Sequence, residues 1–228
     1  MDDHEWADYQ AELDEKLPDT KLFMNGVSDF FESHPSVRLE GNSVIHSMKK
    51  RIKNLGHLRE KIARKKDEGR DINPHNLFET VTDLAGVRLL LLFQEDFGVI
   101  DQSIRNRVDG GDWVLHEQPK AFTWDPEATR YFGRFDLEII QRDTSYTSVH
   151  YLLKPRADSH VCCELQVRTL FEEIWGEIDH RINYRTPTDI VACREQLMVL
   201  SKIVGAGSRL ADSIQRSLLH EDREAPES

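Results

Sequence analysis

Residues 161–168, Val-Cys-Cys-Glu-Leu-Gln-Val-Arg, alternate strictly in character. As a strand they put Cys162, Glu164, Gln166 and Arg168 on one face and Val161, Cys163, Leu165 and Val167 on the other. A carboxylate, an amide and a guanidinium at two-residue spacing on a face otherwise fit for burial are costly unless they are paired. Just upstream, residues 146–153 place Tyr146, Ser148 and His150 on one strand face. Asp83-Leu-Ala-Gly-Val-Arg88 opens the most apolar strand in the chain, with a carboxylate at its mouth and a glycine that permits close approach. Mg²⁺ is usually held by one or two carboxylates plus phosphate oxygens, so Asp83 with Glu164 suits a magnesium–nucleotide site. Strand parity sets Asp83 and Arg88 on opposite faces, so both serve one site only if the strand begins after Asp83 or bulges near Gly86. The plainer alternatives are a solvated antiparallel edge, a capping role for Asp83 and a structural salt bridge between Glu164 and Arg168.

Charge is unevenly spread. Residues 49–70 hold ten Lys or Arg against Glu60, Asp67 and Glu68, a net of +7 in a chain of −11, so the remainder sums to −18. Broad nucleic-acid binding needs many phosphate contacts over an extended basic surface, which this distribution argues against; one basic segment on an acidic body suits a small polyphosphate. Arg51 and Lys53 share one side of a strand, and Lys61 and Arg64 are neighbours on the following helix. These four cations could converge on a triphosphate, and arginine planes also stack on bases. A solvated amphipathic helix is the competing reading. On a helix over 169–183, Glu173, Glu177, His180 and Tyr184 share one face and Phe171, Ile174, Ile178 and Ile182 another.

The elements that must position these groups follow from pattern. At 228 residues the chain fits one domain with a full core. Helices are expected over 3–17 and 20–33, divided at Leu-Pro-Asp-Thr, over 54–66 after an Asn54 cap, over 74–80 after Asn73-Pro74, and over 95–107 and 169–183. Strands are expected over 42–53, 84–93, 136–141, 146–153 and 161–167. Residues 110–136 read as an irregular, aromatic-bearing loop of possible functional use. A last helix over 188–218 carries Ile190, Leu197, Leu200, Val204, Gly207, Ala211, Ile214 and Leu218 at near-heptad spacing, to pack on its own domain or to pair with a second copy. Three cysteines in no metal-ligand spacing suggest a reducing compartment. With no membrane-length apolar run and no signal-peptide pattern at the start, a cytoplasmic location is expected.

Taken in order, Arg51-Ile-Lys53 with Lys61 and Arg64, Asp83-Leu-Ala-Gly-Val-Arg88, Tyr146-Thr-Ser-Val-His150, Glu164-Leu-Gln-Val-Arg168-Thr169 and Trp175-Gly-Glu-Ile-Asp179-His180 resemble the RelA/SpoT synthetases, the alarmone synthetases. Each motif alone is weak; five in the right order over residues 40–185 are strong. The resemblance implies an α+β fold, a mixed sheet of about five strands flanked by helices, nucleotidyltransferase-like. Helical extensions would lie over 1–36 and, with an acidic tail, over 187–228, around a synthetase domain over 37–186. It implies a small stand-alone pyrophosphokinase that moves the β,γ-diphosphate of ATP to the 3′-hydroxyl of GTP or GDP. Arg51 and Arg88 would sandwich adenine; Lys53, Lys61 and Arg64 would hold the ATP phosphates. Asp83 and Glu164 would bind Mg²⁺, with Glu164 also taking the proton of the attacking hydroxyl. Tyr146 would stack on the acceptor base, with Arg142, His150, Gln166, Arg168, Glu173 and His180 on the acceptor side.

Three departures bear on the acceptor. Ser145 stands where the family has glycine before the tyrosine, and Arg142 replaces a lysine, keeping charge but changing phosphate geometry. No lysine-bearing acceptor loop is recognisable over 110–141, where Lys120, Arg130 and Arg134 are the candidates. Glu173 stands where many small synthetases carry asparagine near guanine, and could accept guanine's N1 and N2 protons. The competing functions are a toxin-like member that pyrophosphorylates the 3′ end of tRNA or makes an adenine alarmone, and a non-catalytic nucleotide-binding module.

Overall fold

The computed structural model describes residues 2–183 and 188–224. In chain order the elements are α1 (Asp3–Ser33), β1 (Arg38–Leu39), β2 (Asn42–Ser43), β3 (Ile45–Ile52), α2 (Leu55–Asp67), α3 (Leu77–Thr80), β4 (Ala85–Leu91), α4 (Phe97–Asp109), β5 (Val114–Leu115), β6 (Lys120–Thr123), α5 (Pro126–Phe132), β7 (Glu138–Gln141), β8 (Ser148–Lys154), β9 (Cys163–Thr169), α6 (Leu170–Asn183) and α7 (Val191–Glu224). Among the described residues, seven strands form one mixed sheet in the order β3-β4-β9-β8-β6-β7, with β5 paired to β8; β1 and β2 form a separate two-stranded ribbon. The β4–β9 and β6–β7 pairs are parallel and the other pairs antiparallel.

Register makes the two faces of the sheet chemically opposite. Met48, Leu89, Val167, Val149, Ala121 and Ile139 stand side by side across six strands. They pack beneath Met24, Val27 and Phe31 of α1 and Ile100 and Ile104 of α4 in the main core. One residue further along, the row reads Lys49, Arg88, Gln166, His150 and Lys120. Because successive side chains alternate faces, this polar row lies on the opposite side, where α6 follows β9.

The two helices expected before residue 34 are one. Pro18 sits inside α1, where it deletes an amide hydrogen bond and crowds the preceding turn at a cost of about 3 kcal/mol. The helix persists because each half is docked. Trp6, Tyr9 and Leu13 pack on Leu58, Ile62, Ile72, Leu77 and Phe78 in a second cluster, whereas Met24, Val27, Phe30 and Phe31 belong to the main core. Tyr9 fastens the first half by donating to the carbonyl of Ile72 at 2.7 Å.

The 110–136 segment is also ordered, holding β5, β6 and α5, so the sheet has seven strands. Asp125 caps α5 by accepting from the amide of Glu127, with Pro126 in the first turn. In α7 the expected stripe is split. Leu197 and Val204 are buried with Ser201, Ser208 and Asp212, while Ile190, Ile214 and Leu218 are exposed. Gly207 permits the α6–α7 approach, since a Cβ there would stand 2.8 Å from the Phe171 ring. Asp212 accepts from the amide of Gln94 at 2.8 Å, and Arg209 reaches Asp125 at 2.6 Å and Glu127 at 2.7 Å. Among the described residues no helix is long and apolar enough to cross a membrane. All three cysteines are free thiols, with Cys162 and Cys163 buried.

Candidate active site

The polar face carries a cleft of about 640 Å³, walled by β3, β4, β9, Tyr146 and α6. Glu164 lies in its wall, at the second residue of β9. It sits opposite Gly86 of β4, which in turn sits opposite Arg51 of β3. Gly86 leaves the strand bare beneath Arg51, whose Cγ and Nε pass 3.9 Å from where a Cβ would stand. The Arg51 guanidinium reaches to 3.9 Å from Glu164 Oε2.

Both oxygens of Glu164 are held. Oε1 is 3.1 Å from His150 Nδ1, and Oε2 accepts from the Gln166 amide at 2.8 Å. Burial pushes the proton affinity of Glu164 up, as does the negative charge of Asp83. The hydrogen bond and charge of His150, with the Gln166 amide, outweigh both and leave it below the ordinary carboxylate range. Its partners are therefore His150 and Gln166, in place of the Arg168 salt bridge weighed from sequence.

Asp83 lies just before β4 begins, which resolves the parity conflict. It is gripped from two elements, Lys53 at 2.7 Å on one oxygen and Lys61 of α2 at 2.8 Å on the other. Burial alone would raise its pKa, but the two ammonium groups bring it down to about 2. This cluster stands outside the wall of the cleft. Of the four cations expected together, Lys53 and Lys61 converge here and Arg51 stands near Glu164. Arg64 is apart, largely exposed and 3.9 Å from Glu68.

Arg88, expected to face adenine, is turned into a buried network. It donates to Gln166 at 3.1 Å and to both oxygens of Glu173 at 3.0 and 3.1 Å. Glu173 is the counter-ion of three cations, for Lys49 reaches it at 2.8 Å and Arg168 at 3.3 Å. Burial raises its proton affinity, but these cations override it and hold the carboxylate ionised below its ordinary pKa. Its oxygens are thus engaged by protein donors where guanine contact was expected.

Arg168 is itself buried, and Gly176 makes room for it: a Cβ there would lie 3.0 Å from its Nη1. Through Nη2 it donates to Tyr146 Oη at 2.9 Å and to Gln166 Oε1 at 3.0 Å. Its guanidinium stands 5.1 Å over the Tyr146 ring, and Tyr146 Oη is 3.0 Å from His150 Nε2. Arg142 lies over Phe122 at 4.5 Å, and Phe122 meets His150 edge-on at 4.8 Å. His180 lines the cleft, as do Glu177, Asp179 and Asn183; Tyr184 lies outside the described residues.

Of the three basic candidates over 110–141, Lys120 stands on the site face opposite His150, where it pairs with Glu117 at 2.7 Å. Arg134 lies against Tyr131, and Arg130 is on α5. Lys49 was not singled out from sequence, although strict alternation with Arg51 and Lys53 sets it on the same face.

Asp83 and Glu164 are the carboxylates of the donor set a hard dication would share with phosphate oxygens, and Lys53 and Lys61 now hold both oxygens of Asp83. Among the described residues no group of three or more His, Cys, Asp or Glu converges as an all-protein metal cage.

A family model described as a region found in RelA / SpoT proteins matches residues 50–189. The GTP pyrophosphokinase YjbM of Bacillus subtilis (strain 168) is 25% identical over 190 residues, 81% of this chain and 76% of that protein. In structure the chain is similar to a GTP pyrophosphokinase family protein from Streptococcus pneumoniae, with a TM-score of 0.67 at 18% identity over 93% of this chain and 95% of that one. It is similar also to small alarmone synthetase 1 from Bacillus subtilis bound to its product pppGpp, with a TM-score of 0.58 at 22% identity over 95% of each chain. Those two likenesses are of fold. The family match spans the elements that carry Arg51, Asp83, Tyr146 and Glu164, and the chain belongs to the RelA/SpoT family.

Proposed function

We propose that this chain is an ATP-dependent pyrophosphokinase that transfers the β,γ-diphosphate of ATP to the 3′-hydroxyl of GTP or GDP. The observation that carries the reading is the place of Glu164: a carboxylate held at both oxygens, with cations on one side of it and the Tyr146 ring on the other. Arg51 and Arg88 would face adenine, Arg88 leaving Glu173 to do so. Lys53, Lys61 and Arg64 would take the donor phosphates, Lys53 and Lys61 turning from Asp83 toward the incoming anion. Asp83 and Glu164 would hold a Mg²⁺, which would supply positive charge to offset the repulsion of an attacking oxygen. Glu164 would accept the proton of the 3′-hydroxyl. Tyr146 would carry the acceptor base, with Arg142, Lys120, Arg168 and His180 around it. Diphosphate transfer, like phosphoryl transfer, needs mainly positioning and positive charge about the moving group, which this face is built to give.

The guanine acceptor rests on the likeness to relatives named GTP pyrophosphokinases. Incubation with labelled ATP and, in turn, GTP, GDP, ATP and tRNA, with products separated by chromatography, tests it. Transfer to GTP or GDP supports the reading; transfer confined to ATP or tRNA replaces it with the adenine or tRNA alternative, and no transfer leaves the non-catalytic module. Free buried thiols accord with a reducing, cytoplasmic setting. Val199, Ile203, Leu210 and Ile214 form an exposed apolar stripe on α7, which we assign to pairing with a second copy.

A further inference from the structure

Glu164 needs more than a place in the cleft: to take a proton from one hydroxyl, its carboxylate must hold one orientation. Two arms run to it from a single buried guanidinium. One arm passes from Arg168 Nη2 to Gln166 Oε1 at 3.0 Å and from Gln166 Nε2 to Glu164 Oε2 at 2.8 Å. The other passes from Arg168 Nη2 to Tyr146 Oη at 2.9 Å, on to His150 Nε2 at 3.0 Å, and from His150 Nδ1 to Glu164 Oε1 at 3.1 Å. Arg168 is in turn fixed by Glu173 at 3.3 Å.

The donor and acceptor inventory sets the direction of the second arm. An ionised carboxylate only accepts, so His150 Nδ1 carries the proton and donates to Glu164. Nε2 meets the Tyr146 hydroxyl at 3.0 Å, which donates to a neutral ring and accepts from a charged one. Arg168 has no acceptor and donates to the lone pairs of that hydroxyl. In either state the hydrogen bonds join Arg168 through Tyr146 and His150 to Glu164 without a break. The ring of Tyr146 and its hydroxyl therefore have separable duties. Arg168 covers one ring face at 5.1 Å, which leaves the other to an acceptor base, while the hydroxyl faces away into the relay.

We propose that the Tyr146 hydroxyl and His150 are positioning groups for Glu164, so that the platform for the acceptor and the orientation of the base are one hydrogen-bonded unit. This rests on the pyrophosphokinase reading. In the step served, the O3′–H bond breaks and its proton goes to Glu164. An O3′–P bond forms at the β-phosphorus as the bond from that phosphorus to the α,β-bridging oxygen breaks, and AMP departs with that oxygen.

The test is Tyr146→Phe, which keeps the ring and removes only the hydroxyl. The acceptor KM should stay within about twofold while kcat falls roughly ten- to hundredfold. His150→Asn should lower kcat to a similar extent, and the double variant should be little worse than either, since both cut one chain. An unchanged kcat in Tyr146→Phe, or a loss carried wholly by KM, overturns the inference. A separate reading comes from ring-nitrogen NMR of the nucleotide-free protein. It should show His150 with its proton on Nδ1, with the Nε2 signal displaced in Tyr146→Phe; the opposite tautomer, or no displacement, also overturns it. Wild-type protein that transfers no diphosphate would instead defeat the pyrophosphokinase reading, a failure the NMR measurement tells apart.

Discussion

Asp83 offers a stability measurement that needs no substrate. Its carboxylate is shared between Lys53 at 2.7 Å and Lys61 at 2.8 Å, and all three side chains are less than a quarter exposed. Its carboxyl is held at about 2 against an ordinary 3.8, which corresponds to about 2.4 kcal/mol at about 1.36 kcal/mol per tenfold change in proton affinity. Because the native pKa is depressed, this contribution is complete above the unfolded value, halves near about pH 3 and is lost as the pH falls through about 2. Asp83→Asn keeps the shape and removes the charge, leaving two ammonium groups to share a neutral amide. Partial exposure lets them turn to solvent, so we expect a loss of about 2 kcal/mol at pH 7 by urea unfolding. The gap between variant and wild type should narrow as both are titrated from pH 5 to pH 3. A gap below about 0.5 kcal/mol at pH 7, or one that stays level down to pH 3, would show that the lysines do not clasp Asp83 in solution.

Glu164→Gln should abolish diphosphate transfer with little change in melting temperature, because the amide fills the same space but neither carries charge nor accepts a proton; near wild-type turnover would remove Glu164 from the mechanism. Glu172 is half-buried, accepts from the Thr169 amide at 2.6 Å, and desolvation pushes its pKa up to about 7. A raised carboxylate pKa lowers stability as the pH rises from the unfolded value through the native one, so Glu172→Gln should stabilise the fold by about 1–3 kcal/mol at pH 8 and have little effect at pH 5, as thermal melts at the two values would reveal. Ile203 and Leu210 on α7 are 62% and 63% exposed; changing both to Glu should convert an oligomer to monomer in light scattering without lowering the melting temperature of the monomer, and a wild-type protein that is monomeric at tens of micromolar would refute the pairing.

What the sequence made legible followed from period and spacing. Alternation over 161–168 was enough to place Glu164 and Gln166 on a polar face and Leu165 and Val167 in the core, because that register cannot slip by one residue without burying the carboxylate. Asn54 and Asn73-Pro74 marked helix starts that the structure retains. β5 and β6, at two and four residues, are too short to show alternation, although Asp125-Pro126 held the same cap-and-proline signal for α5. Pro18 misled because the docking of each half of α1 on its own cluster is a tertiary matter. The α7 stripe misled because its buried side includes Ser201, Ser208 and Asp212, whose partners lie far off in sequence: Asp212 caps the amide of Gln94. The bonds of Glu173 were equally hidden, since Lys49, Arg88 and Arg168 come to it from three strands.

The continuity of α1 through Pro18 has a consequence for how the molecule opens. Its 31 residues run about 46 Å, and its first half supplies Trp6, Tyr9 and Leu13 to the small cluster on which α2 rests. That cluster is a candidate foldon, able to exchange its amide hydrogens while β4, β8 and β9 stay closed. Lys61 rides on it, whereas Lys53 belongs to the sheet side, so the Asp83 clasp is a rivet between a less stable unit and a more stable one. An anion that drew both lysines together would bind more tightly the less ordering α2 still required. Mutations on the first three turns of α1, far from any phosphate, would then register as changes in donor affinity through the entropy of ordering α2.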